Sequence, residues 1–213
     1  MRPATALQDP TGPVEQRPLH PRAPRPKLRT VRGYRVPPRS QRHGLVLVHT
    51  GDGKGKTTAA LGILVRAAGR GMKVAMLQFI KTAEVEQGEH IGARHLGVEI
   101  VPLGGGFTWL SENIDADRAL ARAGWQRCVA ALASGDYDVM ILDELTYPLA
   151  YGWLSHEEVF EALRHRPQGT HVVITGRLAT PELIGFADLV TEMREVKHPY
   201  RERGLGAQPG IEL

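Results

Sequence analysis

A lysine and a threonine at the end of a glycine-rich run, and an acidic pair ninety residues further on, are the residues of this chain best suited to chemistry. The run is Thr50-Gly51-Asp52-Gly53-Lys54-Gly55-Lys56-Thr57-Thr58. Glycines let backbone N–H groups converge on phosphate oxygens. A following helix N-terminus adds partial positive charge, and Lys56 adds a full one. Thr57 places a hydroxyl where a divalent cation would sit. The acidic pair is Asp143-Glu144, and carboxylate oxygens suit hard Mg²⁺ (or Mn²⁺). Together these predict a bound nucleoside polyphosphate with its metal. Glu144 is the preferred direct ligand and Asp143 the second choice. The loop departs from the usual pattern at its opening, where Thr50 replaces glycine, and this suggests a variant use of the nucleotide.

Other polar residues gather around the same expected site. Arg177, in Thr175-Gly176-Arg177, offers planar, bidentate donors for a polyphosphate. Arg66 is the sole charge within Ala59–Ala68. A cation on a mostly buried helix needs an anion, either a phosphate or a core carboxylate. Lys81 is a weaker candidate. Gly104-Gly105-Gly106 followed by Phe107 and Trp109 reads as a mobile loop carrying aromatic rings toward a ligand. The nine histidines show no paired metal spacing, and no nucleophile elbow or cysteine dyad is present. The chemistry is therefore positioning and electrostatics, not covalent catalysis by the protein.

These residues need a scaffold that collects loops along one edge. Short apolar runs at 45–49, 73–79, 98–101, 138–142, 171–175 and 188–192 read as strands that are apolar on both faces. Helical patterns occupy 57–69, 84–96, 115–133, 146–152, 156–165 and 181–186. Ser155-His156-Glu157-Glu158 has capping-box spacing, Thr180-Pro181 places a cap before a first-turn proline, and Gly71 and Gly135 fall at helix ends. The alternation predicts a three-layer α/β P-loop (RecA-like) fold with a mostly parallel sheet. In such sheets ligands collect at the C-terminal strand ends, where the loop, the acidic pair and Arg177 all lie.

Charge divides the chain. Residues 1–43 carry ten Lys/Arg against Asp9 and Glu15, a net of +8, so the remainder is acidic although the whole is +4. The same segment holds nine of the fifteen prolines. It reads as a largely disordered extension, with 44–213 as the folded domain. No run is long and apolar enough to span a bilayer, and the N-terminus lacks both a secretory h-region and the amphipathic helix of a transit peptide. Cys128 is the single cysteine, which excludes an internal disulfide. Its helical neighbours Trp125, Val129 and Leu132 suggest a core position. A reduced, cytoplasmic setting is expected.

Several ordered segments resemble the P-loop-type corrinoid adenosyltransferases, which act on cob(I)alamin and cob(I)yrinic acid a,c-diamide. They are Thr50 to Ala60, Gln78-Phe79-Ile80-Lys81, Gly106-Phe107-Thr108-Trp109, Leu142-Asp143-Glu144-Leu145, Tyr151-Gly152, His171 to Arg177, Thr191 to Arg194, Val196 to Pro199, Ala207-Gln208 and Gly210-Ile211-Glu212. The resemblance runs from about Gly44 to Leu213. It implies that a Co(I) corrinoid attacks the 5′ carbon of ATP and triphosphate leaves, with ATP held in the reverse sense to that of hydrolases. Lys56, Arg177 and Mg²⁺ on Thr57 and Glu144 would stabilise the leaving charge, with Gly51 to Thr58 and Arg66 in contact with ATP. Phe107 and Trp109 would displace the lower axial ligand of Co(II) so that it can be reduced. A reduced flavoprotein or similar electron donor and a homodimeric state are also implied.

Three features depart from the family. A proline-rich start stands where a corrinoid-covering helix can form, which confines that helix to about 27–36. The turn Tyr200–Gly206 is slightly expanded, and Leu213 ends the chain where an aromatic is common. A competing reading is a nucleic-acid-associated P-loop ATPase using the basic tail for phosphates; the resemblance disfavours nucleic acid as a partner.

Overall fold

A computed structural model describes residues 37–106 and 113–212. The strands are β1 (Val46–Thr50), β2 (Val74–Gln78), β3 (Glu99–Pro102), β4 (Val139–Asp143), β5 (His171–Thr175) and β6 (Leu189–Glu192). The helices are α1 (Lys56–Gly69), α2 (Gly88–His95), α3 (Ile114–Ala133), α4 (Thr146–Ala150), α5 (His156–Arg164), α6 (Pro181–Phe186) and α7 (Pro199–Arg203). Among the described residues they form one six-stranded sheet of order β3-β2-β4-β5-β1-β6. Every pairing is parallel, so the mostly parallel sheet expected from sequence is parallel throughout. Crossover helices cover both faces, giving the three layers of the P-loop class.

Two cores lie on opposite faces of the sheet. Val48, Leu77, Leu142 and Ile174 pack against Trp125, Cys128 and Leu132 of α3 and Val159 and Leu163 of α5. Met76, Ile141 and Val173 pack against Ala60, Leu64 and Ala67 of α1 and Ala93 of α2. Alternation along each strand divides the side chains in this way. Cys128 is fully buried, and burial pushes its thiol well above the usual range. It is a core residue, as its neighbours suggested.

The cap signals operate as written in the sequence. Ser155 Oγ accepts from Glu158 N–H at 3.1 Å, and Thr180 Oγ1 accepts from Leu183 N–H at 3.2 Å. Gly71 and Gly135 adopt φ of 69° and 67° just past their helices, a region that favours glycine.

Some elements differ from expectation. The helix expected from residue 84 starts at Gly88, because Gln87 is extended and acts as its N-cap. The helix expected to reach 152 stops at Ala150, before Gly152 at φ 66°. An additional helix, α7, starts at Pro199 behind His198, whose ring Nδ1 accepts from Tyr200 N–H. β6 is exposed along its length: it is an edge strand bonded only to β1, and Leu189 and Val190 remain open to solvent. Arg42 bonds Asp138 at 3.1 Å and the Pro37 carbonyl at 2.8 Å, so contacts with the body begin just before the boundary expected at 43/44.

Candidate active site

The parallel register sets polar residues side by side at the C-terminal edge of the sheet. Gln78 of β2 pairs with Asp143 of β4, and Leu142 pairs with Ile174, which places Thr175 of β5 beside Asp143. His49 of β1 pairs with Thr175 in turn. These four side chains share the face that packs against α1, since they alternate with Val48, Leu77, Leu142 and Ile174 of the opposite face. Gln78, Asp143 and Thr175 satisfy one another, whereas both ring nitrogens of His49 are buried without a hydrogen-bond partner.

Asp143 is the hub of that row. It is fully buried. Its Oδ1 accepts from Thr57 Oγ1 at 2.9 Å and from Thr175 Oγ1 at 2.6 Å, and its Oδ2 accepts from Gln78 Nε2 at 3.0 Å. Thr175 Oγ1 also accepts from Glu144 N–H at 2.9 Å. The Thr57 hydroxyl gives its proton to Asp143, so its lone pairs remain for a cation. Gln78 and Thr175 had no assigned role in the sequence reading. Their signal was a polar residue at the C-terminal end of each strand's apolar run.

The phosphate loop has the geometry its sequence requires. Gly55 has φ 107° and is the N-cap of α1, and Gly51 has φ 93°. Lys56 is buried, and its ammonium donates to the carbonyls of Gly51 at 2.8 Å and Gly53 at 2.6 Å. Burial lowers its proton affinity, with Arg177 adding to that effect, while Glu144 and Asp52 oppose it. Gly53 N–H donates to Met193 O at 2.7 Å. A Cβ on Gly53 would come within 2.7 Å of Arg194 backbone, so the segment after β6 packs directly on the loop. Lys54 pairs with Glu212 at 3.0 Å, bringing the C-terminal segment to the same place. Asp52, Lys54 and Thr58 are exposed.

Thr50, the residue that departs from the usual loop pattern, has a structural use. Its Oγ1 donates to Arg177 O at 2.9 Å and accepts from Ala179 N–H at 3.3 Å. A glycine could tie neither. The hydroxyl joins the start of the phosphate loop to the turn after β5, and so positions Arg177 relative to Lys56.

Glu144 sits in the left-handed region at φ 64°, which a non-glycine residue adopts only where its surroundings enforce it. Its Oε2 is buried without a hydrogen-bond partner, as is Thr146 Oγ1. Burial first, and the adjacent Asp143 second, push its carboxyl up to about 7, against the pull of Lys56, Arg177 and Lys81. Gly176, at φ 138°, closes this corner: a Cβ there would lie 1.8 Å from Thr146 Oγ1 and 3.2 Å from Glu144 Oε2. Glu144 Oε2 lacks a donor, and the Thr57 hydroxyl donates to the adjacent Asp143, so the two leave oxygen lone pairs of the kind that fit a divalent cation.

The structure thus brings Lys56, Thr57, Asp143, Glu144 and Arg177 together. It does not bring Arg66 to them. α1 is buried along one side only, and Arg66 is exposed on its last turn, about 15 Å along the axis from Lys56. The expected internal anion is not required, because solvent reaches the guanidinium. Lys81 is also turned aside, bonding Gln87 Oε1 and Glu89 at the start of α2. Phe107 and Trp109 lie outside the described residues. The glycines before them are anchored near the site: Gly104 N–H donates to Lys81 O and Gly106 N–H to Ile80 O, each at 3.0 Å.

A phosphate loop beside a buried acidic pair occurs in many folds, and the family is decided by the comparison with known proteins. Residues 42–213 match the family model described as ATP:corrinoid adenosyltransferase BtuR/CobO/CobP. The chain belongs to the ATP:corrinoid adenosyltransferase family. It is 43% identical over 178 residues to the corrinoid adenosyltransferase of Escherichia coli strain K12, covering 84% of this chain and 90% of that protein. Its similarity to the corrinoid adenosyltransferase CobA of Salmonella typhimurium has the same identity and coverage. The corrinoid adenosyltransferase of Pseudomonas aeruginosa is 42% identical over 172 residues, covering 80% of this chain and 84% of the relative. The match spans the adenosyltransferase fold from just before β1 to the C-terminal segment, including every residue of the polar row.

Proposed function

We infer that this chain transfers the 5′-deoxyadenosyl group of ATP to the Co(I) centre of a corrinoid and releases triphosphate. The Co(I) electron pair forms the new Co–C5′ bond, the C5′–O bond breaks, and its electrons leave on the triphosphate. The observation that carries this reading is the convergence of Lys56, Thr57, Glu144 and Arg177 on one corner of a phosphate loop, in a member of this family.

The finer assignments follow from the chemistry of those residues. Gly51 to Thr58 hold the polyphosphate through the loop amides and the α1 N-terminus. Lys56 exchanges its bonds to the Gly51 and Gly53 carbonyls for phosphate oxygens. Arg177 adds a second cation from the neighbouring strand end, and the two oppose the charge that develops on the leaving group. Mg²⁺ or Mn²⁺, held by Thr57 and Glu144, supplies further neutralisation of the polyphosphate. Both oxygens of Asp143 are engaged by protein donors, which supports Glu144 as the direct ligand and Asp143 as the group that orients Thr57. The polyphosphate is a leaving group here, so the sugar carbon must face the corrinoid.

The loop that starts at Gly104 would bring Phe107 and Trp109 to the corrinoid, where aromatic faces remove the lower axial ligand and make Co(II) reducible. A one-electron donor such as a reduced flavoprotein, a homodimeric assembly and a cytoplasmic setting complete the reading. No helix among the described residues is long and apolar enough to cross a membrane.

The protein mixed with ATP, Mg²⁺ and chemically reduced corrinoid is expected to yield a light-sensitive alkyl-cobalt product and triphosphate. Formation of ADP and free phosphate instead would reject the assignment. Trp109→Ala is expected to slow the reaction more from Co(II) than from pre-reduced Co(I); equal losses would refute the axial-ligand role.

A further inference from the structure

A series of contacts that begins at a histidine leads to Asp143 from the opposite side to the phosphate loop. His90, on the first turn of α2, is buried. Its Nε2 lies 2.8 Å from Gln78 Oε1, and its Nδ1 lies 3.2 Å from Gln87 N. A backbone N–H can only donate, so Nδ1 is the acceptor and the ring proton sits on Nε2. His90 Nε2–H therefore donates to the Gln78 carbonyl oxygen. The amide nitrogen of Gln78 is then turned to Asp143 Oδ2 at 3.0 Å. Asp143 Oδ1 is left to receive the Thr57 hydroxyl. Each polarity in the series follows from the preceding one, beginning at an obligatory donor on the N-cap of α2.

We propose that His90 is a positioning residue for the metal-nucleotide site, acting through Gln78 and Asp143 to fix the direction of the Thr57 hydroxyl. The two ends of a glutamine amide are nearly the same size, so packing alone does not choose between them. Without a donor at His90, Gln78 can rotate and set its oxygen against Asp143 Oδ2. Asp143 Oδ2 would then face an acceptor, and the carboxylate would turn or take up a proton, loosening its hold on the Thr57 hydroxyl. Burial lowers the proton affinity of His90, which favours the neutral ring this arrangement needs. The same segment of chain reaches the start of the aromatic loop: the carbonyls of Ile80 and Lys81, two and three residues after Gln78, accept from Gly106 and Gly104. Gln78 thus stands at the junction between the nucleotide and the corrinoid sides.

The proposal rests on the reading of Thr57 and Glu144 as cation ligands. Calorimetric titration of ATP into the full chain, in Mg²⁺ and in chelator, tests it without reference to turnover. His90→Leu is expected to reduce the Mg²⁺-dependent gain in ATP affinity about five- to tenfold, the scale of one lost buried hydrogen bond, with chelator binding unchanged. His90→Gln, whose amide can donate from a similar place, is expected to recover part of it. Gln78→Met should match His90→Leu, and the double variant should be no worse than either, because the two act as one unit. Equal losses with and without Mg²⁺, full additivity, or a wild-type Mg²⁺ gain in His90→Leu would each overturn the proposal. Should the unmodified chain itself bind ATP no better in Mg²⁺ than in chelator, the cation-site reading fails, and the positioning role goes with it. Thermal unfolding of each variant separates these results from loss of fold.

Discussion

Lys56 and Glu144 are ionisable groups largely withdrawn from water, with proton affinities that burial shifts in opposite directions. Lys56→Ala removes the loop cation and is expected to reduce adenosyl transfer at least a hundredfold, measured as alkyl-cobalt formation; wild-type turnover would contradict its role. Glu144 gives a sharper test of stability against function. Its carboxyl is raised from 4.5 to about 7, so the folded state holds a proton that the unfolded chain releases. Stability of the metal-free protein is therefore lost as pH rises from about 4.5 to about 7. The accumulated cost above pH 7 is on the order of 3 kcal/mol. Glu144→Gln avoids it. In chelator and without nucleotide this variant is expected to melt several degrees higher than wild type at pH 8, with the two converging near pH 4. The same variant should lose Mg²⁺-dependent ATP binding. A lower melting temperature at pH 8 would show that the carboxylate is satisfied in the folded protein.

At the scale of elements, the turns after β4 and β5 interlock at Gly176, and the turn after β1 packs on the segment after β6 at Gly51 and Gly53, through contacts too close for any side chain beyond hydrogen. Gly176 is the tightest, combining φ 138° with the Thr146 hydroxyl at 1.8 Å from a virtual Cβ. Gly176→Ala is expected to destabilise the domain by more than about 2 kcal/mol, read from the urea midpoint. Gly62, in the middle of α1, has open space around it and no positive φ. Gly62→Ala is expected to raise stability by about 0.5–1 kcal/mol. Opposite signs at two glycines test the assigned backbone geometry, and similar effects would contradict it. Apolar periodicity located β1, β2, β4 and β5 to within a residue because these strands are covered on both faces. It misjudged the surroundings of β6, where Leu189 and Val190 read as core but lie on an uncovered edge. It also read α1 as mostly buried, and so sought an anion, phosphate or core carboxylate, for Arg66, whose exposed side chain does not need one.

At the scale of the whole molecule, charge and pH link the parts. His49, His90 and His171 all have lowered proton affinity, chiefly from burial. The unfolded chain takes up protons first as pH falls below about 6.5, so stability is lost on acidification through that range. Glu144 acts in the opposite direction. Using Glu144→Gln as the background isolates the histidines, and its urea midpoint is expected to fall steadily from pH 7 to pH 5. A flat profile would mean that these rings protonate as readily folded as unfolded. The basic segment provides a separate test. Deleting residues 1–36 removes most of the excess positive charge and leaves Arg42 with its Asp138 contact in place. The truncated protein is expected to retain most of its adenosyl transfer. Loss of adenosyl transfer on truncation would mean that the basic segment takes part in the reaction.

The sequence alone determined the sheet, its crossover helices, the phosphate loop and the acidic pair. These depend on local spacing: period two or continuous apolarity for strands, caps and glycines for helix limits, and consecutive residues for the loop. Tertiary structure decided the roles within that frame. Strand order placed Gln78 beside Asp143 and Asp143 beside Thr175, although the three are far apart in the chain. It filled both oxygens of Asp143 and left one oxygen of Glu144 without a donor. It gave Thr50 a hydrogen-bonding use across the sheet and put Arg66 in solvent. Whether a buried polar atom has a partner depends on residues brought close by the register of parallel strands, and that register is a property of the folded sheet as a whole.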